Sequence, residues 1–266
     1  MKWICTIAFV LFFTQVRAIQ IEAFDTIHVQ KNSKFSTDNL GNIFVISPTN
    51  DIEKYDKNGL KTATANFKVL GNITSIDASN PFEIYVFYRD QNKILYLDNL
   101  LNLRGETDLE SIGVSQCAAV ARSFDNQIWL FDMGDLKLKK YSKELKFISE
   151  SASLNSFISD SPIFPDMLID INSSLYLLNN GAILNFDAFI NYTKTMLSDS
   201  ITNFQVVNGQ ILYLRKDSVI IYNPTVFKFE TLPINFSGKI KNIRIEKERL
   251  YILADENLIL HTYSEK

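Results

Sequence analysis

The sequence predicts an all-β protein built as a six-bladed β-propeller, and three observations support this prediction. One apolar phrase recurs six times along the chain at an average spacing of about 41 residues. Short runs rich in Ile, Val, Tyr and Phe alternate with clusters of Asn, Asp, Gly and Ser, a pattern typical of strands and tight turns. No convincing amphipathic helix follows residue 18.

The recurring phrase begins with a strongly apolar strand, continues through a polar turn into another strand, and ends near an aromatic residue. It forms the middle of each repeat unit. The steps between successive repeats are 41, 44, 47, 36 and 39 residues, which is the size of a four-stranded propeller blade. The apolar strands begin at Ile43, Ile84, Ile128, Leu175, Ile211 and Leu250.

The other two strands of each unit follow from the flanking residues. An apolar position precedes each of these strands by seven or eight residues, as Phe35 does in the first unit, and predicts an opening strand. Alternating stretches after the aromatic, such as 228–232, predict a fourth strand. The sixth unit ends after its third strand, so we expect Ile21–Val29 to supply the missing outer strand and close the ring. A different blade number or another all-β fold remains an alternative.

Asparagine is frequent in the predicted turns, whereas the whole chain contains nine glycines. Asparagine tolerates the left-handed backbone conformation that tight turns require. The sequence therefore predicts that asparagine takes the place of glycine in many of these turns.

The first unit resembles an NHL-type propeller repeat. The residues that carry the resemblance are Asp38 to Val45, with the sequence Asp-Asn-Leu-Gly-Asn-Ile-Phe-Val, followed by Asn50-Asp51-Ile52 and Tyr55-Asp56. The second and third units match weakly, and the last three keep only the apolar skeleton. The resemblance implies a fold rather than an activity, because such residues mainly form turns and packing contacts.

Residues 1–18 predict a secretory signal peptide, which leaves 19–266 as a single propeller domain. A basic start is followed by an apolar run from Trp3 to Phe13 and by the cleavage-site pattern Val16-Arg17-Ala18. The run is too short to span a bilayer well, although an uncleaved anchor is the alternative. We therefore expect an exported protein, periplasmic or extracellular, without a later membrane span. Its single remaining cysteine, Cys117, is expected to be a small buried apolar residue.

No catalytic or metal-binding motif stands out. The chain lacks a Gly-x-Ser-x-Gly elbow and any Cys-x-x-Cys or His-x-His spacing. His28 and His261 fall on the two strands expected in the closing blade, where we expect ordinary strand residues rather than a metal site. The sequence thus predicts no cofactor, and calcium at Asp132–Asp135 has no support. Carboxylates from separate blades could meet at the central channel, and the candidates are Asp51, Asp77, Asp90, Asp125 and Asp170.

We expect a binding or scaffold module that recognises a protein or a glycan and is a monomer by itself. The alternative is a propeller hydrolase or lactonase that uses channel carboxylates. A pI near 5.5 and a net charge of −3 argue against nucleic acid. Loops between second and third strands share one face of a propeller, and the longest inter-blade segment, 150–166, carries apolar residues. The predicted binding residues are Arg89, Asp90, Arg215, Lys216, Asp217, Phe157 and Phe164.

Overall fold

The computed structural model describes residues 19–158, 162–216, 218–234 and 238–265. The predicted signal peptide lies outside the described residues, and so does Asp217. The described chain forms six four-stranded antiparallel sheets, which confirms the predicted six-bladed β-propeller. Each of blades one to five uses four consecutive strands, and the sixth combines the two ends of the described chain.

The first three blades follow the N-terminal strand β1 (Ile19–His28). Blade one comprises β2 (Lys34–Thr37), β3 (Ile43–Ile46), β4 (Asp51–Tyr55) and β5 (Lys61–Asn66). Blade two comprises β6 (Ser75–Asp77), β7 (Ile84–Tyr88), β8 (Lys93–Leu97) and β9 (Leu103–Asp108). Blade three comprises β10 (Cys117–Arg122), β11 (Ile128–Asp132), β12 (Lys137–Tyr141) and β13 (Phe147–Glu150).

The remaining strands form blades four to six. Blade four comprises β14 (Pro165–Ile171), β15 (Ser174–Asn179), β16 (Ala182–Phe186) and β17 (Tyr192–Ser198). Blade five comprises β18 (Phe204–Val207), β19 (Gln210–Arg215), β20 (Ser218–Asn223) and β21 (Lys228–Thr231). Blade six comprises β22 (Ile240–Glu246), β23 (Arg249–Ala254), β24 (Asn257–Glu265) and β1. Short 3-10 helices occupy Lys68–Leu70, Arg89–Gln91, Leu109–Ile112 and Leu154–Ser156.

The N-terminal strand closes the ring as predicted. Strand β1 pairs antiparallel with β24, from Ile19 opposite Glu265 to His28 opposite Asn257, and a bulge interrupts the register between Ala23 and Asp25. The described chain ends therefore meet in one sheet, and the outer edge of β24 is covered rather than left open. Because the two ends lie far apart in sequence, this pairing ties the ring together without a disulfide.

The second strand of each blade is an apolar run because both of its faces pack against other blades. Every residue of β3, β7 and β11 is buried. Six apolar clusters fill the six interfaces between neighbouring blades. Cys117 lies in the cluster between blades two and three, and burial raises the pKa of its thiol to about 12, as suits an inert packing residue.

The antiparallel sheets give the ring two distinct faces. We name one of them the first face. It carries the turns between the second and third strands of each blade and the segments that lead into the first strand of each blade, which we call the inner strand. We call second face the one that carries the turns between first and second and between third and fourth strands. All six inner strands run toward the second face, which brings their C-terminal ends together there.

Asparagine does occupy left-handed turn positions, which confirms the prediction from composition. Apolar residues also adopt this conformation in the turns between third and fourth strands, and the sequence did not indicate this. Leu101 and Ile190 are examples with φ of 64° and 66°, and both side chains are buried. Burial of an apolar side chain offsets the backbone cost there. The left-handed asparagines are Asn32, Asn50, Asn92, Asn126, Asn172, Asn180 and Asn208.

Candidate functional site

The predicted binding residue Arg89 lies on the first face, where its side chain binds the protein itself. Its Nε donates to the carbonyl of Ala118 at 2.9 Å, and Nη2 donates to the carbonyl of Pro165 at 3.2 Å. The guanidinium also lies 4.8 Å from the ring centroid of Phe164. Arg89 thus links blade two to the inner strands of blades three and four, and this function in the fold uses two of its five N–H donors.

The other predicted charges on this face do not join Arg89. Asp90 is exposed beside it, whereas Arg215 and Lys216 belong to blade five, on the opposite side of a six-membered ring. Arg215 pairs with Asp199 at 2.8 Å. The predicted charged residues of the first face that the structure describes are therefore scattered rather than gathered in one patch.

The two predicted phenylalanines of segment 150–166 have different environments. Phe157 stacks on Tyr192 at 4.8 Å and packs edge-on against Phe186, within the apolar cluster between blades three and four. Phe164 keeps 43% of its surface exposed and covers Arg89. Phe157 is therefore a packing residue, and Phe164 is the member of the pair that a partner could contact. Residues 159–161 of this segment lie outside the described chain.

The candidate carboxylates of the hydrolase alternative act mainly as hydrogen-bond acceptors for the fold. Asp51 accepts from Thr49 on the first face, and Asp125 pairs with Lys140 at 2.8 Å. Asp77 accepts the amide of Arg122 at 2.7 Å on the second face. Each of these three carboxylates already has a hydrogen-bond or ion-pair partner within the protein, and the hydrolase or lactonase alternative stays a prediction.

Metal binding has no geometric support among the described residues. No group of three or more His, Cys, Asp or Glu side chains there is arranged to hold an ion. Asp132 and Asp135 both pair with Lys139, at 2.7 and 2.9 Å. Burial opposes the charge on Lys139, but its hydrogen bonds to these two carboxylates outweigh that effect and raise its pKa. The ammonium group of Lys139 thus lies between the carboxylates that the sequence analysis considered as calcium ligands.

The two histidines do not meet, although both lie in the closing blade. His28 is opposite Asn257, at one end of the β1–β24 ladder, and His261 is opposite Ala23. His261 is buried, and burial lowers its pKa.

A cavity of about 440 Å³ opens on the second face. None of the predicted binding residues lines it, and Asp170 is the one candidate carboxylate that does. Its walls come from four consecutive blades, which places it over the C-terminal ends of the inner strands, at the mouth of the central channel. The lining residues are Asn39, Leu40, Ser79, Asn80, Pro81, Phe82, Arg122, Ser123, Phe124, Asn126 and Asp170.

Three apolar side chains surround this cavity. Leu40, Phe82 and Phe124 are 50%, 70% and 58% exposed, and each lies in the turn between the first and second strands of its blade. Turns are normally polar. An apolar residue in the same turn of three successive blades is therefore the sequence signal that could have indicated the site. The three do not occupy equivalent positions in their turns, and for this reason the repeat alignment conceals them.

Arg122, one of the two charged side chains in the cavity wall, is fixed by internal contacts. Its Nη1 donates to Oε2 of Glu83 at 2.7 Å, Nη2 donates to the carbonyl of Glu83 at 2.5 Å, and the guanidinium lies 4.1 Å from the ring centroid of Tyr85. Burial opposes ionisation of Glu83, but hydrogen bonds from Arg122 and Lys143 outweigh it and lower its pKa. The ion pair is therefore formed at neutral pH.

Asp170, the second charged residue of the wall, is also engaged within the protein. Its Oδ2 accepts hydrogen bonds from Oγ of Ser123 and Nε1 of Trp129, both at 2.8 Å, and from the amide of Phe124 at 3.2 Å. Its Oδ1 is buried and has no partner among the described residues. These bonds fix the turn that carries Phe124.

A second cavity of about 320 Å³ lies beside the first, between blades five and six, and Asn39 lines both. Near it, Thr37 donates to Glu246 at 2.6 Å, Gln205 donates to the same carboxylate at 2.8 Å, and Arg244 donates to Thr37 at 2.9 Å. Burial raises the pKa of Glu246 despite the neighbouring Arg244. This network joins blades five, six and one at the channel.

Comparison with known proteins adds the fold and no family. No protein-family model and no curated sequence matches the chain. Virginiamycin B lyase from Staphylococcus aureus is 10% identical with a TM-score of 0.62, and the match covers 92% of this chain and 99% of that chain. BamB from Moraxella catarrhalis is 11% identical with a TM-score of 0.56, covering 91% and 98%. The WD40 domain of Neurospora crassa Pan2 is 6% identical with a TM-score of 0.60, covering 92% and 96%.

These three structures differ in function, so the similarity indicates a shared propeller architecture and nothing about the chemistry of this chain. Within the part of the chain that the structure describes, no helix is long and apolar enough to cross a membrane.

Proposed function

We propose that this protein is an exported β-propeller binding module that holds a protein or glycan partner on its second face. It acts in this proposal without a cofactor, as a monomer, and with a mature domain that spans 19–266. The signal-like pattern of residues 1–18 supports export. The motif at Asp38–Val45 supports an origin among NHL-type propellers, and the acidic composition argues against a nucleic-acid partner.

The distribution of exposed apolar residues is the observation that carries the proposal. The described chain exposes fifteen large apolar side chains, of which Val69 and Phe164 lie on the first face and five lie on outer strands. Eight lie in turns of the second face, where their side chains are largely exposed. Apolar residues gathered at one surface and bordered by polar groups are typical of binding sites. The eight are Leu40, Leu60, Phe82, Leu100, Phe124, Phe189, Val226 and Phe227.

A comparative capture experiment tests this proposal. The native protein is purified from the exported fraction, where mass measurement should place its N-terminus at Ile19, and is immobilised as bait. The second-face variant combines Leu40→Ser, Phe82→Ser and Phe124→Ser. We expect it to lose at least nine-tenths of the partner that the native protein retains, because these residues surround the cavity at the channel mouth.

The matched control changes the first face instead, through Val69→Ser and Phe164→Ser. We expect this variant to keep the partner. The proposal is contradicted if the first-face variant loses the partner and the second-face variant keeps it. That result would place the binding site on the first face, where the predicted binding residues lie. Circular dichroism of both variants should show native folding, since all five side chains are exposed.

A further inference from the structure

We propose that the cavity at the mouth of the channel binds a neutral carbohydrate. This inference rests on the proposed function and specifies its ligand. The cavity wall combines two kinds of group that an uncharged sugar chain can satisfy together: neutral hydrogen-bonding side chains without partners, and exposed aromatic rings.

The solvent-exposed polar groups of the cavity that lack partners are neutral, whereas the unpaired Oδ1 of Asp170 and Nε of Arg122 are buried atoms. The side chains of Asn39, Ser79 and Asn126 form no hydrogen bond with any described residue, and Asn80 uses only its Oδ1, which accepts the amide of Phe82 at 3.0 Å. A carboxamide offers both donors and an acceptor, and a hydroxyl does the same. Such groups match the hydroxyls of a sugar, each of which also donates and accepts.

The charged groups of the cavity do not favour an anionic ligand. Arg122 is neutralised by Glu83 and lies over Tyr85, and Oδ2 of Asp170 already accepts three hydrogen bonds. An anionic ligand would lose water without meeting a free positive charge in the wall, and it would lie near the carboxylate of Asp170, whose hydrogen bonds come from neutral donors, which is unfavourable. The cavity therefore favours neutral ligands over uronic or sulfated ones.

The aromatic residues distinguish a sugar from an apolar peptide segment. Phe82 and Phe124 present exposed rings next to the amides, and the rings can pack against the C–H faces of sugar units while the hydroxyls reach the amides. An apolar side chain would contact the rings but leave Asn39, Ser79 and Asn126 dehydrated and unpaired, which opposes binding. The cavity volume of about 440 Å³ lies within the range of small-ligand sites and suits a short oligosaccharide.

Titration calorimetry with defined oligosaccharides tests the inference. The probes are neutral tri- to hexasaccharides of glucose, mannose, galactose and N-acetylglucosamine, with oligogalacturonate and a sulfated galactan oligomer as charged comparisons and a set of Leu- and Phe-rich hexapeptides. We expect at least one neutral oligosaccharide to bind with a Kd below about 1 mM and at least tenfold more tightly than every charged or peptide probe. If no neutral oligosaccharide binds in this range, or if a peptide binds best, the inference is overturned.

Two pairs of variants locate the binding. Asn39→Ala and Phe124→Ala each remove a side chain of the cavity, and we expect each to weaken binding about tenfold or more. Asn58→Ala and Phe147→Ala are the controls, because both residues are exposed and lie outside the cavity, Asn58 in a turn of the same face and Phe147 on an outer strand. Equal losses in the controls would place the sugar elsewhere. A negative sugar titration combined with a capture experiment that still depends on the second face would refute the carbohydrate and leave the proposed function standing.

Discussion

Asparagine is used in opposite ways in the segments that enter the inner strands on the first face and in the cavity of the second face. On the first face, Asn92 accepts the amide of Cys117 at 2.9 Å and donates to the carbonyl of Val114 at 2.6 Å. Asn179 likewise accepts the amide of Phe164 at 2.8 Å and donates to the carbonyl of Pro162 at 3.1 Å. On the second face, Asn39 lines two cavities and its side chain binds no described residue.

Asparagine side chains can therefore serve two different roles in this protein: some stabilise the fold, and others are available to bind a ligand. A buried carboxamide that satisfies backbone groups holds the segment entering an inner strand, and it has no capacity left for a ligand. An exposed carboxamide without a partner adds little to stability but remains available for binding.

The largest expected effect is a loss of stability from Asn92→Gly. The substitution leaves the buried amide of Cys117 and the carbonyl of Val114 without partners, and we expect a loss of about 2–4 kcal/mol in the free energy of unfolding. Glycine tolerates the left-handed backbone of this position, where φ is 49°, so the loss reports the hydrogen bonds rather than strain. Urea denaturation measures it.

The matched control is Asn126→Gly on the second face, where φ is 62° and the side chain is exposed. We expect a change within about 0.5 kcal/mol, because no hydrogen bond to a described residue is lost. Equal losses at Asn92 and Asn126 would show that the two faces do not differ as described.

A smaller, local effect should appear on acidification. The turn 98–102 on the second face depends on a carboxylate. Desolvation opposes the charge on Asp98, but hydrogen bonds from Asn102, Leu100 and Arg104 outweigh it and lower the pKa to about 2. Since the folded pKa lies below the reference value of 3.8, this stabilisation is fully present above about pH 3.8 and is lost as the pH falls toward 2.

Hydrogen exchange between pH 5 and pH 2 checks this prediction. The amides of Leu100 and Asn102 should lose protection in acid, whereas the amide of Cys117 should not, because its acceptor Asn92 does not titrate. In Asp98→Asn the turn keeps an acceptor, and its protection should no longer change with pH. Parallel loss of protection at both faces in the native protein would argue against a local carboxylate effect.

The fold was predictable because its signal is repeated and local. Each blade buries an apolar second strand, and burial imposes the same residue types at Ile43, Ile84 and Ile128. The closing strand was predictable as well, since the sixth unit lacked an outer strand and a single stretch remained to supply it. These inferences need no knowledge of which side chains meet.

The candidate site could not be predicted because it depends on contacts between blades. The ion pair of Arg122 with Glu83 joins residues 39 positions apart, and nothing in the local sequence distinguishes this arginine from an exposed one. The internal contacts of Arg89 could not be predicted for the same reason, since its acceptors belong to Ala118 and Pro165, and its role in binding stays a prediction. The cavity is formed by turns of three blades and a strand end of a fourth. Their positions relative to one another are set by the packing of the blades into a ring, which the local sequence does not describe.

The smallest expected effect tests whether the backbone also differs between the faces. Lys247 on the second face and Asp255 on the first face are exposed, and their φ values of 55° and 51° are both left-handed. A left-handed conformation costs a non-glycine residue about 1–2 kcal/mol. Glycine avoids this cost, but it loses more conformational entropy on folding, which offsets about 0.5–1 kcal/mol of the gain. We therefore expect Lys247→Gly and Asp255→Gly each to raise the free energy of unfolding by about 0.5 kcal/mol. Thermal unfolding of the two variants measures the gain, and a loss at one face alone would mean that backbone geometry, and not only the use of side chains, separates the two faces.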